Sequence, residues 1–236
     1  MTACALTVAL LLAASYIQAQ QRRGDRSARR AVVVDERLAA LRTEARLEAT
    51  LEQRLSRGRV VQIIGTKRAP DGVMFYRVAV TRRTRGWVQA ESVVSPARAG
   101  DDARLLRLVR DSEGFDRVAR TCIFLDVFPK SPLRPTALLL LGKAAEEAAG
   151  ELSREAARRL DEREITAGGA PVHSYFMNYN GLDRYNKQGV IFTYDRASRA
   201  FRYDGASWRE IIRRHPHSPV AAEARKRLDS YNAVIK

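Results

Sequence analysis

Cysteine is nearly absent from this chain of 236 residues: only Cys4 and Cys122 occur. A disulfide-stapled scaffold is thereby excluded, because one or two cysteines cannot build such a framework. Histidine is also scarce. His173, His215 and His217 are the full set, and the two that flank Pro216 have no companion cysteine or third histidine to complete a zinc site. Capping of a helix C-terminus suits His215 better. No P-loop, GxSxG, HExxH or paired CxxC is present. The usual marks of phosphate transfer, serine hydrolysis and zinc hydrolysis are therefore missing, and the expectation is a protein without enzymatic activity, cofactor or metal. Lysine is rare too. Of 42 basic residues six are lysine, so 36 are arginine. Such skew can arise from a GC-rich genome, so it does not by itself mark a binding site.

Long apolar runs are confined to the start. Ala3 to Ile17 is uncharged and apolar and is followed by Gln18-Ala19-Gln20, which reads as a secretory signal over 1–19 with cleavage after Ala19. No Lys or Arg precedes the run, and Ile17 occupies a position usually held by a small residue. The alternative is an uncleaved anchor, for which the run is short against the roughly 20 apolar residues of a spanning helix. Residues 20–30 are polar and Arg-rich, a linker. The expectation is an exported protein, periplasmic or associated with the cell envelope, that touches membrane only through an uncleaved N-terminal segment. With the signal removed, Cys122 stands alone in the apolar stretch 118–125 and reads as a buried small hydrophobe.

Net charge is +15 and the isoelectric point near 10.5. Outside the cytoplasm this draws a protein toward lipid head groups, acidic wall polymers or acidic partners. Most arginines are interleaved with acids, as in Arg154-Glu155 and Asp161-Glu162-Arg163-Glu164. That pattern, together with export, argues against nucleic acid as a partner. Glu146, Glu147, Asp161 and Glu162 read as a salt-bridged surface rather than catalytic acids.

The period of the sequence changes near Pro96. Before it, Ala31–Val34, Val60–Ile64, Met74–Val80, Gly86–Gln89 and Val93-Val94 are short apolar strands, separated by Pro70-Asp71-Gly72 and by the polar turn Arg82-Arg83-Thr84-Arg85. Several short strands in so few residues predict a small barrel. Residues 36–55 have helical propensity, with Leu38, Leu41, Ala45, Leu51 and Leu55 on a helical stripe. Leu41-Arg42, then Leu55-Ser56-Arg57-Gly58-Arg59-Val60, Phe75-Tyr76-Arg77-Val78 and Gly86-Trp87-Val88 follow in order. This pattern resembles the bacterial SH3-like domain over about residues 31–95. The resemblance implies strand and loop for 36–55, and that assignment is adopted. It departs from the family at Thr43-Glu44-Ala45, where a Gly-Pro turn is usual.

From Asp101 the spacing is helical. Asp101 or Asp102 is placed to cap a helix bearing Leu105, Leu106, Leu108 and Val109. A second helix spans Phe115–Phe128, a third runs from Ser131 to about Ala149, and a fourth covers about 153–165. The last two span about 206–214 and 218–234. Pro129-Lys130-Ser131-Pro132 recurs as Pro216-His217-Ser218-Pro219, an offset of 216 − 129 = 87 that also pairs Ala137 with Ala224 and Leu141 with Leu228. In each copy the serine is expected to cap the helix that follows. The unit of helix, Pro-x-Ser-Pro and Ala-rich helix resembles tetratricopeptide-like repeats, although the offset exceeds their 34-residue period. An insertion at about 170–205 therefore separates the copies. Within it, Tyr175, Tyr179, Leu182 and Tyr185 have helical spacing, and Val190, Phe192 and Tyr194, then Phe201 and Tyr203, alternate as a β-hairpin.

The expected fold is α+β: a small SH3-like β-barrel over 31–95, then a tetratricopeptide-like helical domain over 101–236 that carries the hairpin. Two aromatic groups are candidate ligand-binding residues. Tyr76 and Trp87 lie in the first region, with Trp87 better suited to core. Tyr175, Tyr179, Tyr185 and Trp208 belong to the denser second group, whose preferred reading is core that glues the hairpin to neighbouring helices. The expected function is an adaptor or scaffold that binds protein or peptide partners in the envelope. Peptidoglycan, bound through the SH3-like region, is the alternative.

Overall fold

Short β-branched strands bounded by turns produce one antiparallel sheet in the first part of the chain. The computed structural model describes residues 29–159, 181–195 and 197–235. Residues 1–19, expected to be a signal, most of the expected linker, and Tyr175 and Tyr179 lie outside these residues, as do Asp161, Glu162 and His173. The chain divides into two units, one through Asp101 and one from Asp102 onward.

In the first unit the strands are β1 (Arg30–Val33), β2 (Ala40–Arg42), β3 (Leu51–Arg54), β4 (Val60–Arg68), β5 (Met74–Ala79), β6 (Arg85–Gln89) and β7 (Val93–Val94). They pair in the order β3-β2-β6-β5-β4-β1-β7. The sheet is open, and this corrects the expected barrel. Closure requires each strand to supply an inward face. All four residues of β3 are exposed, and β7 is only two residues long, so neither end of the order can seal against another strand. One face buries Ala31, Val33, Leu41, Leu55, Val61, Val78, Val88 and Val93. On the other face a smaller cluster forms from Ala45, Ala69 and Phe75, with Val73 and Trp87 against it.

Residues 36–55 are strand and loop despite their helical propensity. Leu41 is fully buried beside Gly86, where an added Cβ would lie 2.7 Å from Leu41 Cγ and 2.8 Å from the Arg42 carbonyl oxygen. This close approach of β2 to β6 requires glycine, and a helix could not provide it. Arg42 Nη1 then donates to the Ala49 carbonyl at 2.7 Å and closes the loop between β2 and β3. Tertiary burial overrides local preference here.

The second unit contains α1 (Asp101–Arg110, its first residue in the preceding unit), α2 (Gly114–Val127), α3 (Arg134–Arg159), α4 (Leu182–Asn186), the hairpin β8 (Phe192–Asp195) and β9 (Ala200–Tyr203), α5 (Ala206–Arg214) and α6 (Ala221–Ile235). The Asp101 carboxylate accepts from the Ser95 amide at 2.8 Å. Helix α2 packs on α3, α3 on β9 and α5, and α5 on α6.

The offset of 87 holds residue by residue in the backbone. Val127 and Arg214 end α2 and α5, and Arg134 and Ala221 open α3 and α6. Phe128 and His215, the capping residues, have φ/ψ of −119/56° and −135/48°, and their amides donate to Phe124 and Ile211 at 2.9 and 2.8 Å. The amide of Ser131 donates to the Phe128 carbonyl, and that of Ser218 to the His215 carbonyl. Pro-x-Ser-Pro therefore shapes the same turn twice, because proline cannot continue the first helix and starts the second readily.

The two copies differ in their side chains. Ser131 Oγ accepts from the Leu133 amide at 3.1 Å and donates to Asp102 at 2.7 Å. Ser218 Oγ is buried without a partner among the described residues, so the expected second cap is not formed.

Where α3 meets α5, Gly142 faces Trp208. A Cβ on Gly142 would lie 2.2 Å from the indole Cη2. From Trp208 a run of edge-on rings passes through Tyr203, Phe192 and Tyr185 to Phe115, with centroids 5.2 to 6.5 Å apart. The hairpin turn is tied by Asp195, which accepts from the Ala197 amide, Ser198 Oγ and Arg202.

Candidate binding surfaces

Strand alternation puts every second residue on one face. On the face of β4, β5 and β6 that carries Trp87, Gln62 pairs with Ala79 and Ala79 with Arg85. Arg30 extends this row on the far side of β4. The neighbouring row runs from Gly65 through Arg77 to Trp87 and Arg42. A register shift between Ile63 and Gly65 makes Ile64 the extra residue of a bulge, a feature that commonly re-aims a side chain.

The small Ala79 between Gln62 and Arg85 leaves an open groove of about 530 Å³. Val60, Ile64 and Val80 line it on the aliphatic side, and Arg82 and Arg85 on the cationic side. Val60 and Ile64 are 43% and 39% exposed. Arg30, Arg77, Arg82, Arg83 and Arg85 are exposed and make no ion pair among the described residues. Ion pairs of this unit form elsewhere, as at Arg37–Asp35, Arg46–Glu44 and Arg98–Asp101.

The candidate residues fall in different settings. Trp87 is half-buried, its ring against the Phe75 cluster on the grooved face. Tyr76 points to the opposite face and lines a smaller cavity of about 210 Å³ with Arg29, Ile63 and Val93. Arg98 covers its ring at 5.6 Å and donates to its hydroxyl at 2.5 Å. Tyr185 and Trp208 are each 1% exposed. Their faces are filled by other rings, which corrects their candidacy as ligand contacts and makes them core. Burial pushes the Tyr185 hydroxyl above the usual tyrosine range, against the pull of Arg184.

In the second unit a shallow cavity of about 520 Å³ lies between α5 and α6, bounded by Arg209, Ile212, Arg213 and Leu228. Acids of the helices are engaged in ion pairs. Glu146 accepts from Arg227 at 2.6 Å, Glu147 pairs with Arg117, and Glu223 pairs with Lys143 at 2.8 Å. Burial raises the Glu146 carboxyl above its ordinary value although Arg227 opposes this. The Cys122 thiol is pushed up to about 12, first by burial and then by the Asp126 charge, so it carries almost no thiolate near neutral pH. Among the described residues no group of three His, Cys, Asp or Glu is placed to hold a metal ion, and no helix is long and apolar enough to cross a membrane.

Sequence reasoning missed Val60, Ile64, Arg82 and Arg85 as parts of one surface. The alternation Val60-Gln62-Ile64 was a usable signal, but Arg82–Arg85 read only as a polar turn. No family model, curated protein or solved structure matches the chain.

Proposed function

We propose that this chain is an exported, non-enzymatic adaptor of the cell envelope, built from an SH3-like module and a tetratricopeptide-like helical module, that binds protein or peptide partners. The observation that carries the reading is the recurrence of one helix–turn–helix geometry 87 residues apart, with the copies packed in sequence as α2, α3, α5 and α6. Stacked helix pairs of this kind present extended surfaces for peptides. The cavity between α5 and α6, with apolar Ile212 and Leu228 beside Arg209 and Arg213, has the mixed lining such a surface needs.

The experiment has two parts. Residues 1–30 fused to a reporter that works only after translocation should give activity. A photo-crosslinker at Arg213 should then trap a defined envelope protein in the native host. Retention of the reporter in the cytoplasm contradicts export. Co-sedimentation with purified wall sacculi, with no protein adduct, replaces the adaptor reading with peptidoglycan binding.

A further inference from the structure

We infer that the open face of β4, β5 and β6 is a docking groove for an extended acidic peptide segment carrying aliphatic side chains. This inference deepens the adaptor reading and rests on it. Three observations select the occupant. The first is charge. Arg30, Arg77, Arg82, Arg83 and Arg85 gather on and beside this face without an acidic partner among the described residues. A like-charged cluster opposes its own assembly, and a ligand bearing carboxylates relieves that repulsion.

The second is the aliphatic wall. Val60 and Ile64 are among the few large hydrophobic residues left exposed, and together with Val80 they line the same groove as Arg82 and Arg85. Exposed apolar surface rimmed by charge marks an interaction site. A nucleic acid would neutralise the arginines but would leave the aliphatic wall unused, and the aromatic rings on this face, Phe75 and Trp87, belong to one packed cluster rather than standing free to stack on bases.

The third is shape. The site is a groove about 530 Å³ in volume, with its depression at Ala79 between Gln62 and Arg85. A flat bilayer surface would meet the flanking side chains without filling it. An extended peptide repeats its side chains on one face about every 6.8 Å. The same strand geometry spaces Val60, Gln62 and Ile64, so a peptide lying along β4 sets alternate side chains against the aliphatic wall. Its acidic residues then face Arg82 and Arg85.

The test uses the full chain without its first 19 residues and a fluorescent peptide in which Glu alternates with Val. Controls are the same peptide with Lys for Glu, one with Ser for Val, a single-stranded oligonucleotide, and vesicles containing phosphatidylglycerol. The Glu/Val peptide should bind most tightly and weaken as salt is raised. The double substitution Arg82→Glu with Arg85→Glu should lower its affinity at least tenfold. Val60→Ser should lower it severalfold, and Arg154→Ala on α3, outside both proposed surfaces, should leave it unchanged. Both arginines are exposed and make no ion pair among the described residues, so the variants should melt with wild type. Arg82→Gln with Arg85→Gln replaces the charge reversal should that variant unfold.

Absence of peptide binding, indifference to the arginine substitutions, or equal binding of the Ser-containing peptide overturns the inference. So does tighter, equally arginine-dependent binding of the oligonucleotide or the vesicles. The two proposals fail separately. Partner crosslinking in the envelope together with no binding of the Glu/Val peptide leaves the adaptor reading standing and removes this groove. Peptide binding in vitro without any envelope adduct does the reverse.

Discussion

Gly142→Ala is the substitution for which the packing and the local preference of the helix disagree most sharply. Within α3 the change removes backbone freedom from the unfolded chain and gains about 1 kcal/mol in helix propensity. Packing opposes it. The new Cβ would lie 2.2 and 2.3 Å from two carbons of the Trp208 ring and 2.6 Å from Ser207 Oγ, whereas carbon atoms pack at about 3.5–4.0 Å. The ring or the helix must therefore move by more than about 1 Å. Trp208 has nowhere to go, because it is 1% exposed and Tyr203 sits edge-on to it at 6.5 Å. Overpacking of a core costs about 1–3 kcal/mol, and so short a contact belongs at the upper end. The expected net loss is about 2 kcal/mol, or roughly 5–10 °C in the melting temperature of a unit this size. Helical circular dichroism on heating gives the number. Fluorescence in a Trp87→Phe background reports whether the Trp208 indole has moved. Trp208→Leu should cost several kcal/mol alone but should make Gly142→Ala much less harmful, a coupling readable from the double-mutant cycle. A Gly142→Ala protein that melts higher than wild type would show that propensity outweighs packing and that α3 and α5 are not held this closely.

The two Pro-x-Ser-Pro turns should respond differently to the same substitution. Ser131→Ala loses both the Leu133 and the Asp102 contacts and should cost about 1–2 kcal/mol, while Ser218→Ala deletes a buried hydroxyl that has no partner among the described residues and should be neutral or slightly stabilising in the same melts; equal losses would contradict the asymmetry. Glu223 gives a pH-dependent case. The Lys143 hydrogen bond, the largest cause, holds its carboxyl below the ordinary glutamate value, so its contribution is present above the unfolded value and disappears as pH falls through the lowered folded one. Glu223→Gln should therefore be less stable than wild type at neutral pH, by under about 1 kcal/mol for so exposed a pair. The gap should close in acid, and a gap that instead widened there would refute the pairing.

Much of the architecture was legible in the residues because it depends on local chemistry. Proline at 129, 132, 216 and 219 delimits helices through its fixed φ and missing N–H, so the ends of α2 and α5, the starts of α3 and α6 and their offset of 87 were readable before any packing was known, whereas α3 continues unbroken to Arg159 where two helices were expected. The alternation of Phe192 with Tyr194 and of Phe201 with Tyr203 foretold the hairpin for the same reason. Residues 36–55 show where local chemistry stops: their leucines and alanines favour helix, and only the approach of Leu41 to Gly86 makes them strand and loop. Whether a ring is surface or core is likewise invisible in the chain, since Tyr185 and Trp208 are covered by rings that arrive from other elements. The side-chain cap at Ser131 depends in part on Asp102, a residue nearly thirty positions away, and Ser218 makes no such bond despite an identical motif. The barrel failed at β3, whose residues bury no inward face. The groove on the sheet combines Val60 and Ile64 of one strand with Ala79 and Arg85 of two others. Outside residues 36–55, composition and spacing determined most of the segments that are helix, strand or turn. Only the tertiary structure decided which of their side chains meet, because pairing register and close approach join residues that the linear order keeps apart.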